Sequence, residues 1–179
     1  MEPYHFILKS FTGEKSFKVE TDLVFMLDFI SVKFTVKGDV SRLRIPAKSS
    51  KPGRRDELWK HTCFELFVLP NGQRKYIEIN ASPSGDWALY GFDDYRVGSR
   101  TLTAANEPEI LTMHQRDALI IQIDLQDIWP AGMKLADNFL CGISCVLEDV
   151  EGGLSYWAVH HKSQKPDFHL PDNFVLVGQ

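Results

Sequence analysis

A block of polar and apolar residues between positions 56 and 67 holds the densest set of side chains that could do chemistry. Alternation of this kind is typical of a half-buried β-strand, so Glu65 is expected to point away from the face that carries Phe64 and Leu66. A carboxylate at such a position lies at a sheet edge, in an ion pair or against a ligand, because burying it unpaired costs several kcal/mol. Glu65 is therefore a candidate binding residue.

The next predicted strand repeats the pattern. Tyr76, Glu78 and Asn80 fall on one face of it, and apolar residues fall on the other. The pair Asn71–Gly72 between the two strands favours a tight hairpin. We therefore expect one face of a sheet to gather these three side chains together with Glu65.

Four tryptophans supply the second component of a possible binding site. A sugar presents apolar C–H faces and many hydroxyls, so a sugar site combines aromatic platforms with directed polar side chains. Trp59 lies in a charged loop, whereas Trp129 precedes Pro130 and is assigned to the hydrophobic core. For Trp87 and Trp157 the sequence leaves both a core and a binding role open.

Short strands must position these residues, because apolar residues recur at every second position along most of the chain. The clearest alternation covers residues 30–36, 62–68, 119–125 and 141–147, and further candidate strands are 5–11, 23–29, 40–45, 74–80, 86–90, 109–115, 154–158 and 174–177. A short helical turn is expected only within residues 127–135. Turn residues separate the strands and no crossover helix is predicted. The pattern indicates an all-β fold, an antiparallel β-sandwich of about ten strands, of the immunoglobulin-like or jelly-roll-like kind.

Length and composition limit the class of protein. The chain has 179 residues, of which 44% are hydrophobic and 25% charged, and this fits one folded domain over residues 1–179. The net charge of −4 comes without a basic tract, so no nucleic-acid partner is expected. Residues 1–11 lack a signal-peptide pattern and no apolar run is long enough for a membrane helix, so we expect a soluble, cytoplasmic protein without membrane insertion.

Cys63, Cys141 and Cys145 fit no disulfide framework or zinc pattern and are expected to be buried.

Several segments together resemble a known family. These segments are 58–67, 76–88, 95–96, 155–160 and 166–169, and the most specific parts are WKHTCFE at 59–65 and NASPSGDW at 80–87. On these residues the chain resembles a small bacterial-type branch of the DOMON-like group, which is related to family 9 carbohydrate-binding modules. The resemblance runs from about Leu23 to Val177.

The resemblance implies a β-sandwich whose relatives bind sugar or haem. Family 9 modules hold the end of a sugar chain between two tryptophans, with help from a glutamate, an asparagine and an arginine. In this sequence Trp59 and Trp157 would be the tryptophans, Glu65 the glutamate, and Asn80 and Arg96 the polar partners. The predicted ligand-binding residues are Trp59, Glu65, Asn80, Arg96, Trp157, Trp87 and His160. The predicted function is therefore a non-catalytic module that binds a small molecule or oligosaccharide and carries no cofactor.

A haem or metal site is a second interpretation. DOMON relatives that bind haem hold the iron through a methionine and a histidine. The candidate haem ligands here are Met113, His61, His160, His161 and His169. A metal could also be held by His160 and His161 with Asp167 or His169, but neighbouring residues of a strand point to opposite faces.

An enzyme and a protein-interaction domain are further alternatives. Glu65 and Glu78 could form an acid–base pair. The residues available for a Ser-His-Asp arrangement are Ser82, Ser84, His160, Asp86 and Asp167. The chain has no nucleophile elbow, phosphate loop or dinucleotide fingerprint. In the interaction hypothesis, Trp59, Trp87 and Trp157 close the ends of the sandwich and the protein works by contacting another protein.

Overall fold

The structure is a computed structural model that describes residues 2–26, 29–104, 106–127, 129 and 138–178. These residues form twelve β-strands and three short 3₁₀ helices. The strands are β1 (Tyr4–Ser10), β2 (Phe17–Met26), β3 (Phe29–Gly38), β4 (Cys63–Pro70), β5 (Tyr76–Ala81), β6 (Trp87–Phe92), β7 (Arg100–Thr101), β8 (Glu109–His114), β9 (Ala118–Gln126), β10 (Asn138–Glu148), β11 (Leu154–Ala158) and β12 (Val175–Gly178). The helices are Val40–Arg42, Leu58–Lys60 and Pro171–Asn173. Within these ranges no helix is long and apolar enough to cross a bilayer.

The strands are connected along one antiparallel path. Their order is β7-β6-β5-β4-β10-β11-β1-β2-β3-β9-β8, and β12 pairs with β10. A short pairing of Lys9 with Ala158 and of Ser10 with Trp157 joins β1 to β11. We call β1, β2, β3, β8 and β9 the first half of the sheet, and the remaining strands the second half. The prediction of an all-β, antiparallel fold is confirmed.

The hydrophobic core lies between the two halves. Alternate residues of β3, among them Val32 and Phe34, are fully buried, while the residues between them are partly exposed. The ring of Phe34 lies 5.0 Å from the ring of Phe64 on β4. The inner faces of the two halves therefore pack directly against each other, and the period-two pattern of β3 follows from burial on one face only.

The second half of the sheet is buried on both faces. Every residue of β4, β5 and β6 is buried, although an antiparallel sheet commonly leaves one face to water. A second apolar cluster on the outer face includes Phe67, Tyr76, Phe92 and Phe174. Chain segments from outside the sheet must therefore cover this face.

The hairpin predicted at Asn71–Gly72 is confirmed, and the structure has a second one at Gly152–Gly153. β4 pairs with β5 around Asn71–Gly72, and β10 pairs with β11 around Gly152–Gly153. The three cysteines are buried and free, as predicted. The helical turn predicted for residues 127–135 lies largely outside the described residues.

The strand predicted at residues 40–45 is wrong. The Asp39 carboxylate accepts the backbone N–H of Ser41 at 3.3 Å and starts the 3₁₀ helix Val40–Arg42. Such side-chain capping competes with extended backbone. Leu43 retains only an isolated bridge to Asp149.

Candidate functional site

Polar side chains collect on the outer face of β4 and β5. The register places Glu65 opposite Asn80, and Phe67 opposite Glu78. The Asn80 side-chain amide donates to Glu78 Oε1 at 2.7 Å, and Tyr76 belongs to the outer apolar cluster. The predicted gathering of these side chains on one face is therefore confirmed.

The cover over this face leaves a cavity of about 570 Å³. The cover consists of the Leu58–Lys60 helix, the loop at residues 93–99 and the segment at residues 166–174. The rings of His169 and Phe174 lie 5.0 and 5.7 Å from the ring of Phe67 and fix the last segment on the sheet. A cavity of this size suits a small ligand.

Aromatic side chains form the walls of the cavity. Trp59 and Tyr90 pack edge to face with their ring centroids 6.0 Å apart. Tyr156 and Phe168 also line the cavity, with centroids 6.1 Å apart. Trp59 is 40% exposed, so its ring is open to a ligand. The cavity therefore offers apolar platforms from separate parts of the chain.

Two carboxyl groups line the cavity. Glu65 is 3% exposed and Glu78 5% exposed. Burial raises the pKa of both, and the neighbouring Glu78 raises the pKa of Glu65 further. Within the part of the chain that the structure describes, Glu65 makes no side-chain hydrogen bond. Its oxygens are therefore acceptors, or a donor when protonated, for a ligand.

Arg96 reaches the cavity from the covering loop. Its φ of 54° is in the left-handed region, and its backbone N–H donates to the Tyr76 hydroxyl at 3.2 Å. Its guanidinium donates to Asp167 Oδ1 at 2.8 Å, and the Tyr95 hydroxyl donates to the other carboxylate oxygen of Asp167 at 2.5 Å. These bonds clamp the loop to the segment at residues 166–174.

His169 occupies the cavity next to the carboxyls. Its Nδ1 is 2.9 Å from the Tyr76 hydroxyl, and its Nε2 is 3.6 Å from Glu78 Oε2. Burial, helped by the Arg96 guanidinium, lowers the pKa of His169 to about 4. The imidazole is therefore neutral at neutral pH.

The turn at Ser82–Asp86 positions the chain that leads to Trp59. Asp86 accepts the N–H of Gly53 at 3.2 Å and pairs with Arg55 Nε at 3.1 Å. The Ser84 hydroxyl donates to Asp86 at 2.9 Å. The turn therefore holds residues 49–55 against the sheet, just ahead of the Leu58–Lys60 helix. These contacts give the block at 82–87, part of the NASPSGDW segment, a structural role.

The structure does not bring Trp157 or Trp87 to the cavity. They are 3% and 6% exposed, and both belong to the core between the two halves. Successive side chains of a strand point to opposite faces, so Trp157 points into the core and the preceding residue, Tyr156, points outward. His160 does not line the cavity either.

The other predicted residues lie at or under the cavity. Trp59, Glu65 and Arg96 line it. Asn80 is fully buried beneath it, where it orients Glu78.

Sequence reasoning missed much of the aromatic wall. The residues that it did not assign to the site are Tyr90, Phe92, Tyr156 and Phe168. Tyr90 could have been found, because strand alternation places it on the same face as Ala88 and Phe92. Phe168 belongs to a covering segment whose position depends on long-range packing, so strand alternation does not assign it to the site.

The residues of the haem hypothesis and of the Ser-His-Asp arrangement are scattered in the structure, whereas Glu65 and Glu78, the candidate acid–base pair, both line the cavity. Met113 is half-exposed on β8, at the end of the first half of the sheet, and does not line the cavity with His169. Among the described residues no three His, Cys, Asp or Glu side chains are arranged to hold a metal. No hydrogen bond within the described ranges joins His160 to Ser84 or Asp86, and Asp86 is instead committed to the turn.

Solved structures of other proteins share this fold. The chain matches a candidate carbohydrate-binding protein from Bacteroides uniformis ATCC 8492 with a TM-score of 0.71 and 14% identity, over 98% of this chain and 86% of that one. It matches a family 9 carbohydrate-binding module from Caldicellulosiruptor kristjanssonii in complex with glucose, with a TM-score of 0.57 and 12% identity, over 98% of this chain and 83% of that one. The match to that module with cellotriose has a TM-score of 0.57 and 13% identity, over 98% and 82%. No family model and no curated protein matches the chain. At these identities the likeness is one of fold.

Proposed function

We propose that this chain is a non-catalytic carbohydrate-binding module and that the cavity on the second half of the sheet is its sugar site. The observation that carries the proposal is the combination of exposed aromatic rings with a buried carboxyl that has no partner among the described residues. Trp59 offers a ring that is 40% exposed, and Glu65 offers oxygens without a hydrogen bond. A sugar needs both an apolar surface and directed acceptors.

The sugar ring would lie with its C–H face on an aromatic wall and its hydroxyls toward Glu65, Glu78 and Arg96. Each aromatic platform contributes about 1–2 kcal/mol, by analogy with aromatic pairs and base stacking. Hydrogen bonds to charged groups add further selectivity. The affinity for a single sugar should then be on the order of micromolar to millimolar.

The fold supports this proposal. Among the proteins that share it is a module in complex with glucose and with cellotriose, and the ligand of this chain would be a sugar of that kind or an oligosaccharide. We further propose that the two packed halves form the β-sandwich of one domain, and that the chain belongs to the DOMON-like branch that its sequence resembles.

Titration calorimetry with glucose and cellotriose tests the proposal. We expect Trp59→Ala to weaken binding at least about tenfold, because it removes the exposed platform. Leu111→Ala is the control, because Leu111 is also about half exposed but lies on β8, away from the cavity. Binding that survives Trp59→Ala unchanged, or a wild type that binds no monosaccharide or oligosaccharide, would overturn the proposal.

A further inference from the structure

Among the described residues, two acidic and two basic side chains line the cavity, but they do not form ion pairs with one another. Its acidic groups are Glu65 and Glu78, and its basic groups are Lys60 and Arg96. His169 is neutral at neutral pH, because its pKa is lowered to about 4. Whether the cavity has more acidic than basic groups available to a ligand therefore depends on whether Lys60 and Arg96 are free to pair with the carboxyls.

Both basic groups already have other partners. The Arg96 guanidinium lies 2.8 Å from Asp167 Oδ1, and Lys60 Nζ lies 2.7 Å from Glu57 Oε1. Neither forms an ion pair with Glu65 or Glu78 among the described residues. The cavity therefore has a surplus of acidic groups.

The two carboxyls have unused hydrogen-bonding capacity. Glu65 is more than nine-tenths buried, lines the cavity and makes no hydrogen bond within the described residues. Glu78 receives the Asn80 amide on Oε1, and its Oε2 is 3.6 Å from His169 Nε2. An ionised carboxylate accepts several hydrogen bonds, and burying its charge without a partner is costly. A cationic N–H donor on the ligand would supply the missing hydrogen bonds and would also pair with the buried negative charge.

The aromatic walls also favour a positive charge. Trp59, Tyr90, Tyr156 and Phe168 line the cavity, and aromatic faces attract cations by their quadrupole. A primary ammonium carries three N–H donors for the carboxylate oxygens, whereas a quaternary ammonium carries none. The donor geometry therefore favours an amine over a methylated cation.

We propose that the cavity selects sugars that carry a free primary amine, such as glucosamine, over neutral sugars of the same shape. The inference rests on the proposed function and narrows its class of ligand. The ammonium would bind between Glu65 and Glu78, and the rest of the sugar ring would face the aromatic walls.

Calorimetric titration of the wild type at pH 7 with glucosamine, N-acetylglucosamine, glucose and choline tests this selectivity. We expect glucosamine to bind at least about tenfold more tightly than the other three, because it alone joins a sugar ring to a charged N–H donor. If glucose or N-acetylglucosamine binds as tightly, the inference fails while the proposed function stands. If no sugar binds, both fail. Choline that binds as tightly as glucosamine would also overturn the inference, because it carries no N–H donor.

Proton release is an independent readout on the same wild-type protein. Burial raises the pKa of Glu65 and raises that of Glu78 to about 7, so the two carboxyls of the empty cavity hold bound protons at pH 7 that an ammonium would displace. Titrations at pH 7 in buffers of different ionisation enthalpy should therefore show proton release with glucosamine and little with N-acetylglucosamine. Equal release with both ligands would contradict the inference.

Charge-neutral variants localise the effect. We expect Glu65→Gln and Glu78→Gln each to reduce the preference for glucosamine over glucose severalfold. Glu109→Gln is the matched control, because it removes the same charge from an exposed position on β8. A preference that persists in both cavity variants would overturn the inference, and thermal unfolding of each variant verifies that it is folded.

Discussion

Glu65 and Phe64 are neighbours in the chain, yet one lines the cavity and the other lies in the core. The pleat of β4 separates them, because successive side chains of a strand point to opposite faces. Both are nearly inaccessible to solvent. Burial of the apolar Phe64 side chain stabilises the fold. Burial of Glu65 disfavours its charged form and raises its pKa. At the scale of the residue, the site therefore contains a buried carboxyl that a ligand with hydrogen-bond donors would stabilise.

Glu78→Gln should stabilise the empty protein more strongly as the pH rises. Burial raises the pKa of Glu78 from 4.5 to about 7. The contribution of Glu78 to stability is therefore complete below about pH 4.5 and is lost as the pH rises through about 7. Glutamine has no proton to lose. The difference in unfolding free energy between the variant and the wild type should grow across this window, by at most about 3 kcal/mol.

Urea unfolding at several pH values between 4.5 and 7.5 measures this difference. The neutral His169, whose lowered pKa favours the folded state as the pH rises, is present in both proteins and largely cancels. A difference that stays constant over the window would show that the pKa of Glu78 is not raised in the folded protein.

Single residues of the site were predictable where the alternation along one strand assigned them to a face of the sheet. Glu65, Glu78 and Asn80 follow from alternation and one hairpin. Trp157 was assigned to the site by resemblance, but the structure places it in the core and turns Tyr156 to the cavity. A shift of one position along a strand reverses the face, so alternation without a fixed register cannot decide such a pair.

At the scale of the element, the turn at Ser82–Asp86 links the sheet to the cavity wall. Ser49 and Arg55 donate their backbone N–H groups to the Ser84 and Trp87 carbonyls, both at 2.8 Å. These bonds add to the contacts of the Asp86 carboxylate. The segment that carries Trp59 is thereby held from its N-terminal side.

Asp86→Ala should loosen this segment. The substitution removes the acceptor of the Gly53 N–H and the partner of Arg55, so hydrogen exchange at residues 49–55 should accelerate at least about tenfold. Sugar affinity should fall severalfold, because Trp59 is held less firmly. Asp39→Ala, which removes a cap in the Val40–Arg42 helix, is the control. Unchanged exchange at residues 49–55 would contradict the role of Asp86.

Strands buried on one face were the most predictable elements. β3 and β9 alternate cleanly, and their predicted ranges of 30–36 and 119–125 lie within the observed strands. The strand at 40–45 failed because the Asp39 cap outweighed the apolar pattern. β4 to β6 are buried on both faces, and that property depends on segments far along the chain that local pattern does not reveal.

At the scale of the whole molecule, the two halves of the sheet differ in their outer faces. Alternate residues of β3 and β9 on the first half are partly exposed. The second half is covered, and Phe174 packs closely over Gly142 on β10. The cavity exists because this cover stands away from the sheet around Glu65. Its shape therefore depends on how tightly the segment at residues 166–174 docks.

Gly142→Ala should disturb this docking. A Cβ at position 142 would lie 2.5 Å from Phe174 Cε1 and 3.1 Å from Phe67 Cβ. Overpacking of this kind costs about 1–3 kcal/mol of stability, and displacement of the cover should also weaken sugar binding. Gly53→Ala is the control, because a Cβ there meets no atom within 4 Å. Chemical unfolding and calorimetry together measure both effects, and a variant with wild-type stability and affinity would contradict the tight docking.

A crystal structure of the protein with cellotriose at saturating concentration tests the proposed sugar site most directly. We expect one sugar ring in the cavity, in contact with Trp59 and with at least one of Tyr90, Tyr156 and Phe168, and a hydroxyl within hydrogen-bond distance of Glu65. Cellotriose bound at another surface while the cavity holds only water would contradict the proposed site.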